Sequence, residues 1–130
     1  MLSYETSSLD IKKIADSGQT FRMTLMEEES EEYACGIFRC IALDRVCTAG
    51  DGRIVCPEDD DAFWADYFDL GTDYSVFDSS IDPDDSYLLG AQEHGKGIRI
   101  LRQDPWEMLI TFIISQRRSI PSIRTCVEAL

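Results

Sequence analysis

Residues 104–114 constrain this chain more than any other stretch. Asp104-Pro105-Trp106-Glu107 is a helix start. Asp is a capping residue, Pro has the right φ and no N–H to waste at the first helical position, and Glu three residues after the cap is placed to reach back in a capping box. Met108-Leu109-Ile110-Thr111-Phe112-Ile113-Ile114 follows and is apolar nearly all the way round. Such a helix must be covered on several sides, so it belongs inside a helical domain. The trailing segment from Ser119–Pro121 predicts another helix, with Ile120, Ile123, Val127 and Leu130 on one face. Neither helix finds enough apolar partners within the 130 residues, and the last has no terminating signal, so the chain is expected to be the front part of a larger protein.

The first half follows a different period. Ser17-Gly18-Gln19 is a turn signal, and Phe21, Met23 and Leu25 alternate with polar residues over Thr20–Leu25, as in a half-buried strand. Tyr33–Leu43 predicts one or two more strands. Arg45–Ala49 and Arg53–Cys56 flank Gly50-Asp51-Gly52, a hairpin turn. Three to five antiparallel strands need one face covered. The cover is a helix bearing Phe63, Trp64, Tyr67 and Phe68 on one side, with Asp59–Asp61 as capping candidates. A further helix is expected from Asp82-Pro83-Asp84-Asp85, with Tyr87, Leu88 and Ala91 as its apolar stripe and Gly95 and Gly97 at its close. The fold class is therefore α+β: a twisted antiparallel sheet backed by helices, followed by the first helices of an all-α domain.

Charge supports the same division. The net charge is −13, which alone argues against an anionic partner. Residues 1–95 carry 6 basic and 22 acidic side chains, whereas residues 96–130 carry 6 basic (Lys96, Arg99, Arg102, Arg117, Arg118, Arg124) and 3 acidic. Any nucleic acid is expected at the C-terminal part. Cys35, Cys40, Cys47, Cys56 and Cys126 have no C-x-x-C spacing and only His94 as a possible imidazole partner, so they read as reduced, mostly buried thiols; no metal and no cofactor is expected. With 44% hydrophobic residues and no membrane-length apolar run or leader, the chain reads as globular, soluble and intracellular. His94 reads as a helix-end residue, and Trp64 and Trp106 as core.

Three segments resemble the 8-oxoguanine DNA glycosylases. Ser17-Gly18-Gln19-Thr20-Phe21-Arg22 resembles their S-G-Q-[ST]-F-R turn and strand. Phe63-Trp64-Ala65-Asp66-Tyr67-Phe68-Asp69-Leu70, with Asp73-Tyr74, is similar to their Y-F-x-L helix. Gly97-Ile98-Arg99-Ile100-Leu101-Arg102-Gln103-Asp104-Pro105, continuing to Phe112-Ile113-Ile114-Ser115, resembles the segment that opens their helical domain. The resemblance implies an N-terminal α+β domain over 1–95 and the beginning of a helix-hairpin-helix domain over 96–130. It implies excision of an oxidised purine flipped out of duplex DNA, in some members with cleavage at the abasic site; the full-length protein is expected to be a monomer in the cytoplasm, nucleoid-associated or nuclear depending on the organism.

The family's Schiff-base lysine and its later aspartate match nothing here, because Lys12, Lys13 and Lys96 are the only lysines and none has the matching context. No catalytic residue is assigned to this chain. Gly18 matches the glycine whose backbone carbonyl accepts from the N7–H of 8-oxoguanine. Gln116-Arg117-Arg118-Ser119 falls where the family fills the gap left by the flipped base and reads the orphaned cytosine. There the family has asparagines at the positions of 117–119 and an arginine at that of Ser122, so this loop departs from the pattern. A glycosylase for alkylated purines, or a non-catalytic DNA- or protein-binding accessory module, are the alternative expectations.

Overall fold

The computed structural model describes residues 2–5, 8–27, 36–50 and 52–130. Five strands, β1 (Leu2–Glu5), β2 (Met23–Glu27), β3 (Ile37–Ala42), β4 (Arg45–Gly50) and β5 (Arg53–Cys56), form one antiparallel sheet in the order β1-β5-β4-β3-β2. Strands β2 to β5 meander across the sheet, and β1 closes the far edge beside β5, Leu2 opposite Cys56. Helix α1 (Ile11–Asp16) therefore carries the chain from one edge to the other. It buries Ile11, Ile14 and Ala15 against the sheet's inner face. That face presents alternate residues, among them Phe38, Cys40 and Ala42 on β3 and Cys47 and Ala49 on β4. Its second cover is α2 (Asp61–Tyr67), where Trp64, Tyr67 and the following Phe68 pack edge to face at centroid separations of 5.2 Å for Trp64–Tyr67 and Tyr67–Phe68.

Several boundaries differ from those the sequence suggests. The strand expected from Thr20 starts at Met23, because the Thr20 hydroxyl accepts the Arg22 N–H and turns the chain first. A β-bulge between Leu25 and Glu27 breaks the alternation, and Leu25 is exposed. The expected strand over 33–43 is β3 from Ile37; residues 33–35 lie outside the described residues. Asp51 lies outside them too; Gly50, expected in the hairpin turn, instead ends β4 and pairs with Arg53. None of Asp59–Asp61 caps α2 from the preceding position. A 3-10 turn over Glu58–Asp60 leads in, and the Asp60 carboxylate is taken by Arg45 at 2.9 Å.

Beyond α2 lie the short α3 (Ser75–Asp78), then α4 (Ser86–Gly95), α5 (Pro105–Ser115) and α6 (Ile120–Glu128). Helix α4 begins at Ser86, not at Pro83. Asp85 is its cap and accepts from the Leu88 N–H at 2.9 Å, while Asp82 closes a separate turn on the Asp84 N–H. Its expected stripe is uncovered: Tyr87, Leu88 and Ala91 are all exposed. The α5 start is as expected, with Asp104 accepting from the Trp106 and Glu107 N–H groups. Trp106, expected in the core, is 67% exposed, and Phe112 is 63% exposed. Of the apolar face expected on α6, Ile123 and Val127 are buried while Ile120 and Leu130 are exposed. No helix among the described residues is long and apolar enough to cross a membrane.

Candidate nucleic-acid interface

Residues 97–103 form an extended strap that fastens both ends of α1. At the first end, the Asp10 N–H donates to the Gly97 carbonyl at 2.8 Å and Lys13 Nζ donates to the Lys96 carbonyl. Gly97 has φ +87, and a Cβ there would sit 2.6 Å from the Asp10 Cβ, so the strap's approach to the helix requires glycine. At the second end the Gln19 side chain lies between two backbone groups. It accepts from the Leu101 N–H and donates to the Arg99 carbonyl, each at 2.8 Å. The Gln103 amide returns the contact by donating to the Gln19 carbonyl at 2.6 Å. Leu101 joins the hydrophobic core.

Arg99 locks the strap from the other side. It is only 4% exposed, and its guanidinium donates to the Ser8 carbonyl at 3.2 Å, the Ser8 hydroxyl at 2.7 Å, the Thr72 carbonyl at 3.3 Å and the Asp69 carbonyl, while lying 4.5 Å from the Tyr74 ring centroid. The Asp69 side chain is a second hub. It accepts from the Thr72 hydroxyl at 2.7 Å, the Tyr74 hydroxyl at 3.1 Å and Arg102 at 2.9 Å. These bonds, the one from Thr72 above all, hold its carboxyl below the usual range despite an opposing contribution from burial. Glu107 does not close a capping box. Its carboxylate instead takes Arg22 and, at 2.9 Å, the Leu43 N–H. Leu43 stands in the β3–β4 turn at φ 53, so α5 is tied to a strained hairpin of the sheet.

Gly18 follows directly on α1, exposed, with φ +78 and open space where a Cβ would be. Among the described residues no donor occupies its carbonyl. At the far end of α5, roughly 16 Å along an 11-residue helix, lies the loop 116–119. Gln116 ends α5, and its amide returns to the Phe112 carbonyl at 3.3 Å. Arg117 is exposed in the left-handed region at φ 55. Arg118 donates to Cys126 Sγ at 2.9 Å, and Ser119 is the N-cap position of α6, its hydroxyl making no cap bond. Ser122 lies half-buried in the first turn of α6. Among the described residues no hydrogen bond or ion pair joins the Gly18 turn to this loop.

The basic residues thus divide by use. Arg22, Arg45 and Arg102 are paired with Glu107, Asp60 and Asp69, and Arg99 is buried. Among the described residues no carboxylate pairs with Arg117, Arg118 or Arg124. The positive balance beyond residue 96 therefore overstates the charge available to a partner, since Arg99 and Arg102 hold the fold. Sequence reading missed these roles because an arginine's partners lie far along the chain. Cys40, Cys47 and Cys56 are buried free thiols, and the Cys47 thiol is pushed up by its hydrogen bond with Cys40 and by burial. Among the described residues no group of three or more metal-binding side chains is assembled.

The architecture is thus a five-stranded sheet backed by two helices and strapped to a capped helix whose flank is apolar and exposed. The family model for the 8-oxoguanine DNA glycosylase N-terminal domain matches residues 1–109, and the chain belongs to that family. One similar solved structure is that of MBOgg1 in complex with a low-affinity DNA ligand: 34% identity, TM-score 0.70, covering 95% of this chain and 45% of that one. Another is the Clostridium acetobutylicum 8-oxoguanine glycosylase/lyase in complex with double-stranded DNA containing cytosine opposite 8-oxoguanine: 30% identity, TM-score 0.72, covering 97% of this chain and 46% of that one. The chain spans less than half the length of either relative. No curated protein matches it.

Proposed function

We propose that this chain supplies the lesion-reading part of a base-excision glycosylase acting on 8-oxoguanine in duplex DNA. Gly18 accepts from N7–H of the flipped base, and the loop Gln116, Arg117, Arg118 and Ser119, with Ser122, faces the gap in the duplex and the opposite base. The observation that carries the reading is an exposed Gly18 whose carbonyl takes no donor among the described residues, on a turn fastened to the opening of the helical part. Residues 1–95 form the α+β part and 96–130 the start of the helical part. The chemistry belongs to residues of the same protein outside this chain, which also cover the exposed face of α5 at Trp106, Leu109, Phe112 and Ile113.

Asparagine tolerates the left-handed conformation found at residue 117 better than arginine does. Here Arg117 adopts that conformation, and Arg117, Arg118 and Ser119 stand where the resemblance places asparagines. That substitution favours, as a second reading, a wider range of purine lesions. The test is base release by the whole protein from duplexes carrying 8-oxoguanine or alkylated purines opposite each of the four bases. Release of 8-oxoguanine is expected; release of alkylated purines alone would overturn the assignment.

A further inference from the structure

We propose that Gln19 is a positioning residue for lesion discrimination: clasped to the strap by its side chain, it holds the peptide between residues 18 and 19 with the carbonyl facing outward. The proposal rests on the reading of Gly18 as the acceptor for N7–H. A peptide plane next to a glycine turns easily, because glycine accepts many combinations of φ and ψ. A half-turn of the 18–19 peptide would exchange its outward carbonyl for the Gln19 N–H. The first group pairs with the N7–H of 8-oxoguanine. The second pairs with the bare N7 lone pair of guanine. The same small rotation would therefore invert the preference between damaged and undamaged base.

The structure holds both sides of this hinge. Before Gly18, Ser17 is fixed on the last turn of α1, its N–H and its hydroxyl both donating to the Ile14 carbonyl, at 3.2 Å and 2.7 Å. After it, the Gln19 amide acts as a surrogate peptide group, paired at two points with Arg99 and Leu101, and the Gln19 carbonyl is taken by Gln103. Only a primary amide offers a donor and an acceptor in that fork. Asparagine is a methylene short of the strap, and glutamate would set an oxygen against the Arg99 carbonyl. The strap is itself immobilised by Arg99 and by the Gly97–Asp10 contact, so the clasp is anchored to the core and not to a loose loop.

The test uses the whole protein and duplexes with one 8-oxoguanine or one guanine opposite cytosine, the target sugar carrying a 2′-fluoro group that resists cleavage. The quantity read is the ratio of the two dissociation constants. Gln19→Ala is expected to lower the preference for 8-oxoguanine by about tenfold, the order of one well-made hydrogen bond, through weaker lesion binding together with tighter guanine binding. Gln103→Ala, which leaves the side-chain fork intact, is expected to lower it in the same direction by less. A purely structural role would weaken both affinities in proportion and leave the ratio alone. If replacing the lesion by 8-oxo-7-deazaguanine, which lacks the N7–H, abolishes the preference while both glutamine variants keep the 8-oxoguanine ratio within twofold of the parent, the positioning role is overturned and the Gly18 reading stands. If the parent protein binds 8-oxo-7-deazaguanine, which has no N7–H, as tightly as 8-oxoguanine, the Gly18 reading fails and takes the inference with it.

Discussion

Arg99 offers the sharpest test of how the strap is held. Replacing it with Met keeps an apolar stem of similar length but removes a guanidinium that serves two oxygens of Ser8, the carbonyls of Asp69 and Thr72, and the face of Tyr74. A hydrogen bond from a charged donor contributes about 1.5–3 kcal/mol net, and the cation–π contact about 0.5–2 kcal/mol. These do not add, because the freed carbonyls lie at the edge of the fold and partly rehydrate. The expected loss is about 3–5 kcal/mol, the range for removing one partner of a buried charged network. For a domain of this size that lowers the melting temperature by roughly 10–15 °C. Arg99→Lys restores the charge but not the planar fork, and it should recover less than half of the loss. Urea titration followed by tryptophan fluorescence measures both variants, with the m-value unchanged if only stability moves. A loss below about 1 kcal/mol for Met, or full recovery by Lys, would refute the argument that fork geometry holds the strap.

Four further outcomes follow from the same contacts. Glu107→Ala leaves the Leu43 N–H and Arg22 without their acceptor, and should cost about 1–3 kcal/mol in a thermal melt. The Asp69 carboxyl is depressed in the fold, so its stabilisation is complete above the unfolded value of about 3.9 and lost as pH falls through the lower folded value; Asp69→Asn should flatten the fall in stability below about pH 4 in acid titration. Gly97→Ala meets both a positive φ and the Asp10 Cβ, and should cost about 1–3 kcal/mol, whereas Gly90→Ala, within α4 and facing open space, should be neutral or stabilise by about 0.5–1 kcal/mol. In the whole protein, Arg117→Ala should weaken DNA binding and reduce the slope of log affinity against log salt by about one unit, read by fluorescence anisotropy; an unchanged slope would remove Arg117 from the interface.

Local signals were the legible ones. The Asp104-Pro105 helix start, the β4–β5 hairpin and the aromatic face of α2 each depend on neighbours a few residues apart, and each is found where the pattern puts it, the hairpin with Gly50 in the strand instead of the turn. What stayed hidden depends on distant partners. Glu107 has the spacing of a capping box, yet Arg22 and Leu43, brought beside it by the sheet, compete more strongly for its carboxylate. Asp60 looked like a helix cap until Arg45 came within reach. Strand β1 carries only four residues and no decisive pattern; its pairing with β5 fixes it, and that pairing is remote in sequence. The candidate site was legible in the same uneven way. The motif around Gly18 marked the turn, but the work of Gln19 appears only when residues 99–103 are laid against it.

The most direct measurement is a structure of the whole protein bound to a duplex whose 8-oxoguanine carries the 2′-fluoro sugar. The account predicts the flipped base with its N7 about 2.7–3.2 Å from the Gly18 carbonyl oxygen, and Arg117 or Arg118 at the vacated position in the duplex. A base held by other acceptors, with the Gly18 carbonyl turned away or out of reach, would contradict it.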